Sequence, residues 1–189
     1  MRIIAGTFRS RPLQAPSGLA TRPTSDRLRE TLFNVLAPRI EGARFLDLYA
    51  GSGAVGLEAI SRGAAHVAFV ERAPVALKAL RANLARLGVK EGFRIDGGSV
   101  RESLRKMPTE STGFDVVFLD PPYDAENEYE GAFNALGGSA VGLLARDALV
   151  IAEHRRKGRL NDAYGVLART RLLQQGDASL SFYTVADQD

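Results

Sequence analysis

The chain has 189 residues, 45% hydrophobic and 25% charged, with a net charge of +3, which is the size of one domain with a sizeable core. It has no cysteine, which excludes disulfides and thiolate metal sites, and its two histidines, His66 and His154, lie too far apart to suggest a metal centre. No run nears the roughly 18 apolar residues that span a bilayer, and no signal-peptide core opens the chain, so a cytoplasmic protein without membrane or metal partners is expected.

The charge is unevenly spread. Residues 1–44 carry Arg2, Arg9, Arg11, Arg22, Arg27, Arg29, Arg39 and Arg44 against Asp26, Glu30 and Glu41, a balance of +5 that leaves −2 for the rest. A basic arm on a slightly acidic body suits a polyanion, because neutralising phosphates gives affinity independent of sequence.

Short apolar pieces at Arg2–Ala5 and Pro12–Ala15 predict a small hairpin around Gly6. From Thr24 the period becomes helical. Thr24, Ser25 or Asp26 offers an N-cap, and Leu28, Leu32, Phe33, Val35 and Leu36 form one apolar face that ends before Pro38. Residues 1–40 are thus expected to form a basic extension ahead of a main domain at 41–189. In that domain strands and helices alternate. Strands are predicted at Phe45–Tyr49, His66–Val70, Phe93–Ile95, Phe114–Leu119 and Ala148–Glu153, with helices at Gly53–Arg62, Pro74–Leu87, Val100–Lys106 and Tyr129–Leu136. The last two strands, Gly165–Leu173 and Leu180–Val185, flank Gln175-Gly176-Asp177 and read as an antiparallel hairpin. The expected fold is α/β and Rossmann-like, with a mostly parallel seven-stranded sheet, and its antiparallel close marks a methyltransferase more than a dehydrogenase.

Two strand ends carry chemistry. The first runs from Asp47 through Tyr49, Ala50, Gly51, Ser52 and Gly53 to Gly56, a strand entering a glycine turn and then a helix. Glycine lets the backbone approach a ligand closely, and Glu71, at the end of the next strand, is placed to accept both ribose hydroxyls. Asp47 would repel a pyrophosphate but suits the cationic aminoacyl end of S-adenosylmethionine, which favours that cofactor over NAD. No Walker A lysine is present.

The second is Asp120-Pro121-Pro122-Tyr123, which follows the apolar strand Phe114–Leu119. In open α/β sheets ligands bind beyond the carboxyl ends of the strands. The prolines remove two donors and stiffen the turn, leaving the Asp120 and Pro121 carbonyls as acceptors. A carboxylate, a rigid carbonyl and an aromatic face suit a planar group bearing NH2, such as the amino edge of a nucleobase.

With these motifs the chain resembles the bacterial 16S rRNA (guanine-966-N2)-methyltransferases over nearly its whole length. The stretch from Arg22-Pro23-Thr24-Ser25-Asp26-Arg27 to Asn34 is similar to that family's N-terminal signature, as is the opening Met1–Gly6. Asp47–Gly53 resembles its cofactor loop and Asp120–Tyr123 its catalytic motif, both of which recur in many amino-group methyltransferases. The resemblance implies a class I fold and a methyl donor held by the 51–53 loop and Glu71, with Arg72, Ser99, Val100 and Asp120 beside it. It also implies a guanine of small-subunit rRNA at Asp120–Tyr123. Ser99 departs from the Asp or Asn usual at its position. Arg9, Arg11, Arg22, Arg27 and Arg29 are expected on rRNA phosphates, in the small subunit or an assembly intermediate, with Arg22 and Arg27 the candidates for pairing with Asp26 or Glu30. The alternatives are a methyltransferase acting on adenine N6 or protein glutamine, and a non-catalytic RNA-binding module.

Overall fold

A computed structural model describes residues 1–16, 25–108, 113–122 and 125–186, and the chain divides into two units, Met1–Ser99 and Val100–Asp189. The extension expected at 1–40 belongs to the first unit, because its backbone is bonded to helices of that unit. Ile4 N–H and Ala5 N–H donate to the Glu58 carboxylate at 2.7 and 3.0 Å, and Phe8 N–H donates to Ser61 Oγ at 2.9 Å. The expected hairpin forms in a shortened version, in which Arg2 and Pro12 make an antiparallel bridge. Ile3 N–H donates to the Arg11 carbonyl at 3.0 Å, Leu13 N–H to the Met1 carbonyl at 3.1 Å and Ser10 N–H to the Ile3 carbonyl at 2.9 Å, while Ile4 and Ala5 turn to Glu58.

In the first unit, helix α1 (Asp26–Leu36) is capped by Ser25, whose hydroxyl accepts Leu28 N–H at 3.1 Å. Its predicted apolar face is buried at Leu28, Leu32, Phe33 and Leu36. Strand β1 (Arg44–Leu48), helix α2 (Ala54–Ser61), strand β2 (His66–Val70), helix α3 (Pro74–Leu87) and strand β3 (Phe93–Asp96) follow. The strands are parallel in the order β3-β2-β1. Leu48, Val70 and Asp96 are in register, so the three strands end at one level and the residues after them share one edge. Gly56 lets α2 lie close on the sheet, since a Cβ there would fall 2.3 Å from the Phe69 ring.

The second unit begins with helix α4 (Val100–Lys106), strand β4 (Phe114–Leu119), helix α5 (Glu126–Leu136) and a 3-10 turn at Val141–Leu143. Strands β5 (Leu144–Arg155), β6 (Ala163–Tyr164), β7 (Leu167–Gln175) and β8 (Ala178–Val185) complete it in the order β4-β5-β8-β7-β6. Strand β5 runs parallel to β4, and β8 returns antiparallel between β5 and β7. The stretch Ala148–His154 is buried throughout, as expected of a strand covered on both faces. The fold class is therefore the one expected from the sequence. The described residues hold eight strands rather than seven, the addition being the two-residue β6.

Candidate active site

The β1–α2 turn is built on left-handed backbone. Gly51 and Gly53 have φ of +57° and +81°, and Tyr49 holds φ +65° without being glycine; such strain in a bulky residue gathers at functional sites. The glycines differ in what surrounds them. A Cβ on Gly53 would lie 2.3 Å from Leu80 Cδ1, whereas one on Gly51 would meet nothing within 4 Å. The space at Gly51 is thus open for a ligand to approach the bare backbone. Ala50 and Ser52 are buried beside it.

Glu71 closes the turn from β2. Its Oε2 accepts Gly51 N–H at 2.8 Å and its Oε1 accepts Ala73 N–H at 2.7 Å. A carboxylate has about four acceptor sites, so two remain for hydroxyls. Arg72 beside it is exposed. Asp47 stands behind the turn rather than on its surface. It is 2% exposed, and its Oδ2 accepts Gly56 N–H at 2.9 Å. Burial, with some help from the Glu71 charge, pushes its carboxyl up to about 7, against the pull of the Gly56 N–H. After β3, Asp96 turns its Oδ1 to Gly98 N–H at 2.9 Å, and Ser99 follows half-buried. Val100 opens α4 and is buried.

In the second unit, Asp120 leaves β4 half-buried, Pro121 is buried and Pro122 is exposed. No cis peptide bond occurs among the described residues. The Pro122 carbonyl accepts Ala125 N–H at 2.9 Å just ahead of α5. Tyr123 and Arg22 lie outside the described residues.

Arg9, Arg11 and Arg27 are exposed, as contact with a phosphate requires. Arg29 is not: its side chain is 0% exposed, so the expectation of an RNA contact there is corrected. Its Nη2 donates to Asp26 Oδ1 at 2.9 Å and to the Arg2 carbonyl at 2.5 Å, and Nε stands 3.9 Å from Glu58. Burial lowers its pKa, with Asp26 and Glu58 opposing. Among the described residues it is Arg29, rather than Arg27, that the structure pairs with Asp26.

Two supports escaped the sequence reading. Asn83 on α3 donates from Nδ2 to the Ser52 carbonyl and to the Gln14 carbonyl, both at 3.0 Å, and accepts Gln14 N–H at 2.7 Å. It ties the glycine turn to the N-terminal arm. Glu58 on α2 is fully buried and pairs with Arg62 at 2.8 Å while holding the arm. On α3 the signal was one polar residue on an otherwise apolar face, and on α2 Glu58 shares the buried face with Ser61.

The family model described as "Conserved hypothetical protein 95" matches residues 1–184. "Ribosomal RNA small subunit methyltransferase D" of Escherichia coli (strain K12) is 40% identical over 153 residues, covering 81% of this chain and 74% of that one. YlbH of Bacillus subtilis (strain 168) is 35% identical over 183 residues, covering 97% and 98%. The solved structure of yhhF from Escherichia coli superposes with a TM-score of 0.85 at 37% identity, over 100% of this chain and 99% of that one. A structure from Haemophilus influenzae does so with a TM-score of 0.79 at 33% identity, over 98% of each. The chain therefore belongs to the "Conserved hypothetical protein 95" family, that of the small-subunit rRNA methyltransferases D, and has its Rossmann-like fold.

Proposed function

We propose that this protein methylates 16S rRNA at the exocyclic N2 amine of a guanine, of the position-966 type, with S-adenosylmethionine as donor. The observation that carries the reading is Asp120-Pro121-Pro122 at the carboxyl end of β4, in a chain matched to its family over residues 1–184. The relatives' names support rRNA as the substrate class.

The residues of the first strand edge fit a nucleoside donor. The open backbone at Gly51 admits it, Glu71 offers acceptors to the ribose hydroxyls, and Asp47 lends negative charge from behind the turn. Tyr49, Ala50, Ser52, Gly53, Arg72, Ser99 and Val100 complete the proposed set. S-adenosylmethionine supplies, when bound, an electrophilic methyl group on a sulfonium.

The nitrogen of a guanine amine is a weak nucleophile because its lone pair is delocalised into the ring. The Asp120 carboxylate and the Pro121 carbonyl accept its two N–H bonds, which turns the lone pair outward. Both are fixed before the reaction starts, and they stabilise positive charge as it develops on the nitrogen. No strong base is required first. The methylated nitrogen becomes acidic, and its extra proton leaves for Asp120 or water. Tyr123 is assigned to stacking on the base, worth about 1–3 kcal/mol, and the base must leave its stack to be reached. Arg9, Arg11 and Arg27 are assigned to rRNA phosphates in a small subunit or an assembly intermediate.

Two assays test this. Calorimetry with S-adenosylmethionine should show binding, and labelled methyl should pass to small subunits from cells lacking the enzyme but not to DNA adenine or protein glutamine. Label in DNA or protein would refute the guanine reading. Absence of donor binding would leave an RNA-binding module without catalysis.

A further inference from the structure

The run His154-Arg155-Arg156-Lys157-Gly158-Arg159 has no part in the site described above, and it leaves the sheet at the carboxyl end of β5. Leu119 and Ala152 are in register, so this end of β5 lies at the same sheet edge as the Asp120 turn. Four cations fall within the five residues 155–159. A cleft of about 500 Å³ opens there, walled by Arg156, Arg159 and Arg169, with His154, Ser179 and Leu172 also lining it. That volume is in the range of small-molecule sites.

The cleft is built rather than incidental. Arg169 is held by the Leu160 carbonyl at 3.3 Å and by Asp162. The wall at Asn161 is pinned from two sides: its N–H donates to Tyr164 Oη at 3.0 Å, and its carbonyl accepts Tyr183 O–H at 2.8 Å. His154 is buried and fixed. Nδ1 lies 2.9 Å from the Arg155 carbonyl and must donate to it, so Nε2 accepts the Ser181 hydroxyl at 2.9 Å. Burial lowers its pKa, which keeps it neutral at this position.

Three features stand unused. Ser179 is 0% exposed, and its hydroxyl has no partner among the described residues. A buried hydroxyl without a partner is costly, and a ligand acceptor or donor would relieve it. Arg156 and Arg159 are exposed, with no ion-pair partner among the described residues. Leu172 is 44% exposed beside them. Guanidinium forks suit a phosphate bidentately, and an apolar platform next to them suits the flat face of a base.

We propose that this cleft binds a nucleotide of the RNA substrate, its phosphate on Arg156 and Arg159, with Ser179 as a polar contact and Leu172 under the base. The inference rests on the rRNA reading above and adds a second RNA contact apart from the N-terminal arginines. Its test reads RNA binding as well as turnover. In an anisotropy titration with a labelled single-stranded fragment of 16S rRNA and no donor present, R156E/R159E should bind about tenfold more weakly. Its log-affinity against log-salt slope should fall by roughly 0.7, the loss of one single-strand phosphate contact. KM for small subunits should rise while donor affinity and melting temperature stay as in the wild type. Ser179→Ala should bind RNA severalfold more weakly without melting earlier, which separates the cleft from a merely basic surface. Unchanged RNA affinity and salt slope in R156E/R159E would overturn the proposal, as would wild-type RNA binding by Ser179→Ala. Wild-type protein that binds RNA but transfers no methyl would instead sink the methyltransferase reading and leave this one to the binding data.

Discussion

Replacing Asp47 by asparagine tests the electrostatics of the glycine turn. The Asp47 carboxyl is 2% exposed and pushed up to about 7, chiefly by burial, from an ordinary value of 3.8. Between those values the folded protein holds a proton that the unfolded chain has released. The folded state is therefore favoured most below about pH 4, loses about 1.4 kcal/mol per pH unit up to about pH 7, and changes no further above it. Asp47→Asn keeps a side-chain oxygen for the Gly56 N–H but never ionises. The variant should gain on the wild type as pH rises through that window, and urea unfolding of both proteins from about pH 4 to about pH 8 measures the difference. The donor adds a second arm. A cation bound near Asp47 favours its ionised form, so donor affinity should rise with pH across the window in the wild type and stay flat in the variant. Stability curves that run parallel would refute the reasoning, because they would mean that burial does not hold the proton on Asp47.

Asp120→Ala should lower turnover by about two to three orders of magnitude while donor affinity, read by calorimetry, stays within a fewfold. Glu71→Gln keeps one of the two oxygens that accept Gly51 and Ala73 N–H; denaturant titration should show a loss of about 1–3 kcal/mol, and calorimetry about tenfold weaker donor binding. Arg29→Met should destabilise the fold by about 3 kcal/mol, since it strips Asp26 and Glu58 of a buried partner, yet leave the salt dependence of RNA binding unchanged. Arg9→Glu with Arg11→Glu should do the reverse, flattening that dependence with no shift in melting.

Much of the fold was legible because strong local signals agreed with it. Phe114–Leu119 is short, apolar and β-branched, and it forms β4 as written; Pro74 and Gly88 bracket α3 by the usual start and stop chemistry. The glycine turn was legible because Gly51, Gly53 and Gly56 each answer a separate demand of backbone or packing. What was not legible depends on partners far away in sequence. Arg29 looks like one more basic residue of the arm until Glu58 and the Arg2 carbonyl are brought beside it. The arm's hairpin stops short of Ile4 and Ala5 for the same reason, as Glu58 on α2 accepts their N–H groups. The cations at 155–159 were hidden by averaging, since the balance of −2 beyond residue 44 conceals a local excess that a cleft then gathers.

The central claim is that Asp120 and the Pro121 carbonyl present a guanine amine for methylation. Small subunits from cells lacking the enzyme, treated with the protein and isotope-labelled donor, should yield N2-methylguanosine by nucleoside mass spectrometry, and Asp120→Ala should yield almost none. Label recovered on any other nucleoside, or equal N2-methylguanosine from Asp120→Ala, would contradict the account.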